Sequence, residues 1–191
     1  MAYLRYCSRV HTVVVAVAVL ALAGCGQSGK PAATSATTSS RATWSRPAAP
    51  PDPQTLLRAG AAAVAQVPNG TLTLIRSQES GSWKVHVVTP DGTEDSMDVS
   101  SDGVTVMVGP TPKNESDKAK NRALVQAARL DYRAAVNKML DAVPQGSITE
   151  LKLGDSNATT VWKADVWDSY IVEHKVTINA TSGQLISNTQ V

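Results

Sequence analysis

The chain of 191 residues contains no phenylalanine, and its aromatic content is limited to 4 Trp and 4 Tyr. A buried core must therefore be assembled from Val, Ala and Leu around the tryptophans. Cysteine is limited to Cys7 and Cys25 and histidine to three residues, with no Cys-x-x-Cys and no His-x-x-x-His spacing. That excludes the recognised zinc patterns. No Gly-x-Ser-x-Gly elbow is present, which removes the α/β-hydrolase arrangement. Gly24, Gly29 and Lys30 have P-loop spacing, but Pro31 stands where Ser or Thr is required to meet Mg²⁺. A long apolar run is missing too. Residues 13–23 form the single candidate, and they are too few to span a bilayer comfortably.

That short run defines an address. Arg5 and Arg9 precede it, and it closes on Leu22-Ala23-Gly24-Cys25, the layout of a secretory signal. Small residues ending directly in cysteine resemble the lipobox of bacterial lipoproteins. The resemblance implies a diacylglyceryl group on the Cys25 sulfur, cleavage before it, and a protein held at the extracytoplasmic face of the cell membrane by its acyl chains. Each buried methylene contributes ~0.8 kcal/mol, so two or three chains hold where one does not. Cleavage removes Cys7, and acylation consumes the Cys25 sulfur, so no disulfide is available to the body. Without Arg5 and Arg9, 16 basic residues face 16 acidic ones. The sequence pI of 8.6 therefore belongs partly to the signal, and a near-neutral body argues against nucleic acid as a partner.

Composition divides the rest. Residues 1–24 are the signal, and 25–51 a tether of Ala, Thr, Ser and Pro without period 2 or 3.6. From Asp52 the pattern changes. Asp52-Pro53 is an N-cap followed by proline at the first helical position. Leu56, Gly60, Ala63, Val64 and Val67 then follow at helical spacing, and Pro68-Asn69-Gly70 stops the helix. Alternation predicts strands over 71–76, 83–88, around Met97 and Val99, and 104–108. The order then repeats. A long helix is expected from about Ser116 to Ala142, with its part from Lys118 to Arg129 serving as a strut, and strands over 148–153, 161–167, 171–178 and 184–187. Trp83-Lys84-Val85-His86-Val87 aligns with Trp162-Lys163-Ala164-Asp165-Val166, and Asp102-Gly103 with Ser182-Gly183. The expectation is an α+β protein of two repeated units, 52–112 and 113–191. Each would be a helix on a small antiparallel sheet of three to four strands, the two packed together because such short units are marginal alone.

These residues carry a family resemblance. Ala142-Val143-Pro144-Gln145-Gly146, then Val161 to Val166, then Val176-Thr177-Ile178-Asn179-Ala180-Thr181-Ser182-Gly183-Gln184-Leu185 resemble the PepSY domain, and residues 54–109 match it more loosely. Asn179 stands where the family pattern usually has Asp. The resemblance implies a non-enzymatic module that binds, and inhibits or regulates, a secreted or envelope peptidase, docking through a groove or an exposed sheet edge.

Individual residues divide by strand parity. His86 shares parity with Lys84 and is expected to face solvent; His174 shares parity with Val172 and Val176, as a core histidine does. Pairing either with Asp165 or Glu173 would need two sheets face to face. Asp52, Asp91, Asp102, Asp117 and Asp155 fall at caps and turns, where carboxylates serve backbone donors. Trp83 and Trp162 read as core anchors. Trp167 lies on the opposite strand face with Lys163 and Asp165, either as an interface anchor or as packing under the contact between units. These three residues are the candidate partner-binding set, with Cys25 as the lipidation site; no catalytic residue, metal or cofactor is expected. Three functions follow: a peptidase-binding lipoprotein, a carrier with lipid or a small molecule in an apolar groove between helices and sheet, or a scaffold. A lipid carrier needs more apolar positions than two small units can spare, which favours the first.

Overall fold

The computed structural model describes residues 51–113 and 117–191. The signal segment, the Leu22–Cys25 motif, nearly all of the tether and the expected helix start at Ser116 lie outside those residues. Helix α1 covers Pro53–Val64, and the Asp52 side chain accepts from the Gln54 N–H at 3.0 Å, as the Asp-Pro pair predicts. Leu56, Ala59, Gly60 and Ala63 form its buried stripe. Strands β1 (Thr71–Ser77), β2 (Trp83–Val88), β3 (Glu94–Val99) and β4 (Val106–Pro112) follow as a meander. Then come α2 (Lys118–Ala127), α3 (Tyr132–Ala142), and β5 (Ser147–Ser156), β6 (Thr159–Trp167), β7 (Glu173–Asn179) and β8 (Leu185–Gln190).

The expected pair of small sheets is not what forms. All eight strands belong to one antiparallel sheet in the order β4-β3-β2-β1-β5-β6-β7-β8. The seam is the pairing of β1 with β5, with Leu74 opposite Lys152, Ile75 opposite Leu151 and Arg76 opposite Glu150. Joining there satisfies two rows of backbone N–H and C=O groups that two separate sheets would each leave as an open edge. The core is equally continuous. Leu56 and Trp83 from the first half and Met139 and Trp162 from the second belong to one buried cluster. Gly60 lets the helices meet, since a Cβ there would sit 2.6 Å from the Tyr132 ring, and the Tyr132 hydroxyl donates to the Leu57 carbonyl at 3.3 Å.

The expected long helix is two. Asp131 accepts from the Ala134 N–H at 2.8 Å and caps α3. The Arg129 and Leu130 N–H groups donate to the Ala180 carbonyl at 3.0 and 2.9 Å, and Trp162 Nε1–H donates to the Leu130 carbonyl at 3.0 Å. These tertiary bonds replace the helical ones across the break. Helix α2 buries none of its residues. Asn121 Nδ2–H reaches the Gly92 carbonyl at 3.3 Å, and Thr181 Oγ1–H donates to the Ala127 carbonyl at 3.1 Å. α2 therefore reaches from the β2–β3 turn to the β7–β8 turn.

Strand parity sorts the two faces. Ile75, Trp83, Val85, Val87, Met97, Val99, Leu151, Leu153, Trp162, Ala164, Val166, Val176 and Ile178 belong to the buried cluster shared with α1 and α3. The other face carries the polar residues of the same strands.

Candidate functional site

On that second face the cross-strand register lays side chains out in rows. One row reads Asp98, Lys84, Arg76, Glu150, Asp165, Lys175 from β3 to β7. It is neutral, and its charges are matched: Lys84 to Asp98 at 2.6 Å, Arg76 to Glu150 at 3.5 Å, Lys175 to Asp165 at 2.8 Å. Lys175 also reaches Glu173 at 2.7 Å. Burial lowers the Lys175 pKa and these two carboxylates raise it, with a net upward shift.

The adjacent row reads Ser96, His86, Leu74, Lys152, Lys163, Thr177, Ser187. It contains no carboxylate, and it sets Lys152 directly opposite Lys163. The β5–β6 hairpin fixes this register. Asn157 and Ala158 both have positive φ, at 49° and 60°, and a two-residue turn of that kind matches strand twist. Ser156 therefore faces Thr159, and counting back brings Lys152 to Lys163.

Leu74, His86, Lys152 and Lys163 of this row, with Arg76 of the balanced one, floor a groove of about 890 Å³. Lys120, Asn121 and Leu124 of α2 form one wall, with Pro112 and Lys113 at the end of β4 and Gly154 and Asp155 at the hairpin. Within it His86 Nδ1 lies 2.9 Å from Glu94 Oε1, and Lys113 Nζ lies 2.9 Å from the same oxygen. The His86 hydrogen bond, opposed by burial and reinforced by Lys113, holds the Glu94 carboxyl down at about 2. Glu94 is thus committed to two partners. Among the described residues, the side chains of Lys120, Lys152 and Lys163 have no ion pair or hydrogen bond.

The sequence-derived candidates separate. Lys163, Asp165 and Trp167 do share one face of β6, as parity requires, but only Lys163 lines the groove. Asp165 is held by Lys175, and Trp167 stands half-buried at the strand end, opposite Ser147 and Glu173. Neither histidine pairs with Asp165 or Glu173. His86 is partly covered rather than open to solvent, its side chain 15% exposed. His174 is buried on the helix side, with Nδ1 2.9 Å from Asn188 Oδ1 and Nε2 3.3 Å from Asp168 Oδ2. Asp168 also accepts from the Tyr170 and Val172 N–H groups at 2.9 Å. The Val172 bond is the largest cause of its lowered pKa. Asp52, Asp91 and Asp102 serve turn or cap donors, whereas Asp117 makes no capping bond and lines the groove with Asp155. Lys113, Lys120 and Lys152 were not among the candidates. For Lys152 a signal existed, since placing the turn at Asn157-Ala158 sets it against Lys163.

Among the described residues no group of three or more His, Cys, Asp or Glu is placed to hold a metal ion, and no helix is long and apolar enough to cross a membrane. No protein-family model matches the chain, and no curated protein matches it, so the PepSY resemblance rests on the residues quoted for it. A solved structure from Clostridium difficile 630, described as that of a "putative lipoprotein", superposes with a TM-score of 0.43 at 14% identity, over 65% of this chain and 84% of that one.

Proposed function

We propose that this is a membrane-anchored, extracytoplasmic lipoprotein, attached through acylated Cys25, that binds a partner protein on the polar face of its sheet. Following the PepSY resemblance, the partner is a secreted or envelope peptidase, and the action is binding and restraint without chemistry. The observation that carries the reading is the unequal treatment of the two faces. One packs Trp83 and Trp162 to full burial against Leu56 of α1 and Met139 of α3 in a single core. The other presents Lys163, Asp165 and the half-buried Trp167 in one line, an aromatic anchor beside charges. An apolar ligand between helices and sheet is disfavoured, because that space is filled by the core and the groove lies on the opposite face.

The anchor is tested by Cys25→Ala, which should abolish incorporation of labelled acyl chains and release the protein from the membrane fraction. The partner is tested by adding the purified full-length protein to the peptidases exposed or secreted by the same cell. Stoichiometric loss of one activity, relieved by Trp167→Ala, supports the reading. Peptidase activities that do not change over a tenfold molar excess refute it.

A further inference from the structure

The two rows on the polar face differ in a way that points to a second ligand. In the row through Arg76 and Asp165, cations are answered by carboxylates on neighbouring strands. One step along the same strands, Lys152 and Lys163 oppose each other, flanked by Leu74 and Thr177. Like charges directly opposite across a sheet destabilise it. Lys120 adds a third cation from α2, across the groove. The groove's carboxylates do not answer them. Glu94 is bound to His86 and Lys113, and neither Asp117 nor Asp155 is ion-paired with these lysines among the described residues. Among the described residues the groove's unpaired side chains are thus three lysines against two carboxylates, and the lysines are grouped on facing strands and on the α2 wall, where their field acts on whatever enters.

We infer that the groove is a binding site for an anionic group, a phosphate or a carboxylate on a small organic body, gripped by Lys152, Lys163 and Lys120. The anion supplies the negative charge that the row lacks and converts the repulsion between the facing lysines into a shared pair of contacts. The dimensions fit more than a bare ion. About 890 Å³ falls within the range of small-molecule sites, and Leu124 and Pro112 give the body of such a ligand apolar surface beside the charges. The anion has two possible sources, a soluble metabolite or the headgroup of a membrane lipid, and the lysine chemistry is common to both. The site does not depend on the peptidase reading, which concerns a protein docked on the same face.

The test reads the lysines themselves. The full-length protein is reconstituted in phosphatidylcholine vesicles and treated with an acetylating reagent, and the labelling rate of each lysine is read by mass spectrometry. Inorganic phosphate or citrate, added at constant ionic strength, should slow Lys152 and Lys163 about fivefold once the anion exceeds its Kd several times over. Lys138, on α3 and paired with Asp141, should label at an unchanged rate. The same protection on exchanging phosphatidylcholine for phosphatidylglycerol, without added anion, assigns the source to a lipid headgroup. Lys152→Gln should remove the protection of Lys163, whereas Lys84→Gln in the balanced row should preserve it. Absence of protection in all of these media, or protection shared equally by Lys138, overturns the site.

Discussion

Replacing Lys163 with glutamate should make the protein more stable, although it alters a residue of the groove. The change removes a like-charge opposition to Lys152 and creates a cross-strand ion pair in its place. Each effect is worth roughly 0.2–1 kcal/mol. Both positions are exposed, so solvent screening keeps each near the lower half of that range. The sum is a stabilisation of about 1 kcal/mol at low ionic strength. It should largely vanish in 1 M salt, where the Debye length is about 3 Å. Urea denaturation followed by tryptophan fluorescence suits the measurement, because Trp83 and Trp162 are fully buried and belong to one core. The companion variant Lys175→Glu must move the other way. It breaks contacts at 2.8 and 2.7 Å to Asp165 and Glu173 and gathers three carboxylates, costing about 1 kcal/mol by the same reasoning. Equal effects of the two variants, or a Lys163→Glu gain that does not change with salt, would show that the charge rows do not govern this face.

Three further outcomes follow from the packing. Gly103→Ala should destabilise by about 3 kcal/mol, since φ is +76° and the new Cβ would meet the Thr55 carbonyl oxygen at 2.5 Å. Gly183→Ala, at φ +74° but 3.2 Å from a flexible Leu130 methyl, should cost only about 1 kcal/mol; equal denaturation midpoints would contradict this. Trp162→Phe should cost about 1 kcal/mol more than Trp83→Phe, because Trp162 Nε1–H serves the Leu130 carbonyl and Trp83 Nε1–H has no partner among the described residues. Differential scanning calorimetry of the two variants decides it. Glu94 titrates at about 2 in the folded state against an ordinary 4.5. Its contribution is therefore complete above pH 4.5 and is lost as pH falls toward 2. Glu94→Gln should flatten the urea midpoint between pH 5 and 2.5, and a profile as steep as the parent's would refute the assignment.

Local signals in the sequence carried the elements well. Asp52-Pro53 opens α1, and Val67-Pro68-Asn69-Gly70 and Val143-Pro144-Gln145-Gly146 close helices with Asn69 and Gln145 at positive φ. Alternation placed the strands and assigned Trp83, Trp162 and His174 to the core side. What it could not carry was the partner of β1. Periodicity states which face of a strand is buried, whereas a lateral edge looks the same whether water or another strand satisfies it. Hence the pairing of Ile75 with Leu151, across 76 residues of sequence, was not legible, and two sheets were expected where one forms. The long helix failed for a related reason. Ala128, Tyr132, Ala135 and Met139 keep helical spacing through a break made by the Asp131 cap and by tertiary bonds to Ala180 and Trp162. The groove needed both missing pieces, the joined sheet and the separate α2. Of the expected partner-binding set only Lys163 lines it, and His86, Asp117 and Asp155, which also line it, read as surface, cap and turn residues in the sequence.

The claim that the polar face is the working surface can be tested in living cells. A photo-crosslinking amino acid is placed at position 163 or 167 on that face, and at position 133 on the helix side, with the chain otherwise intact. The account predicts a crosslinked peptidase from 163 and 167 and none from 133. Equal crosslinking from 133, or a partner captured only there, would contradict it.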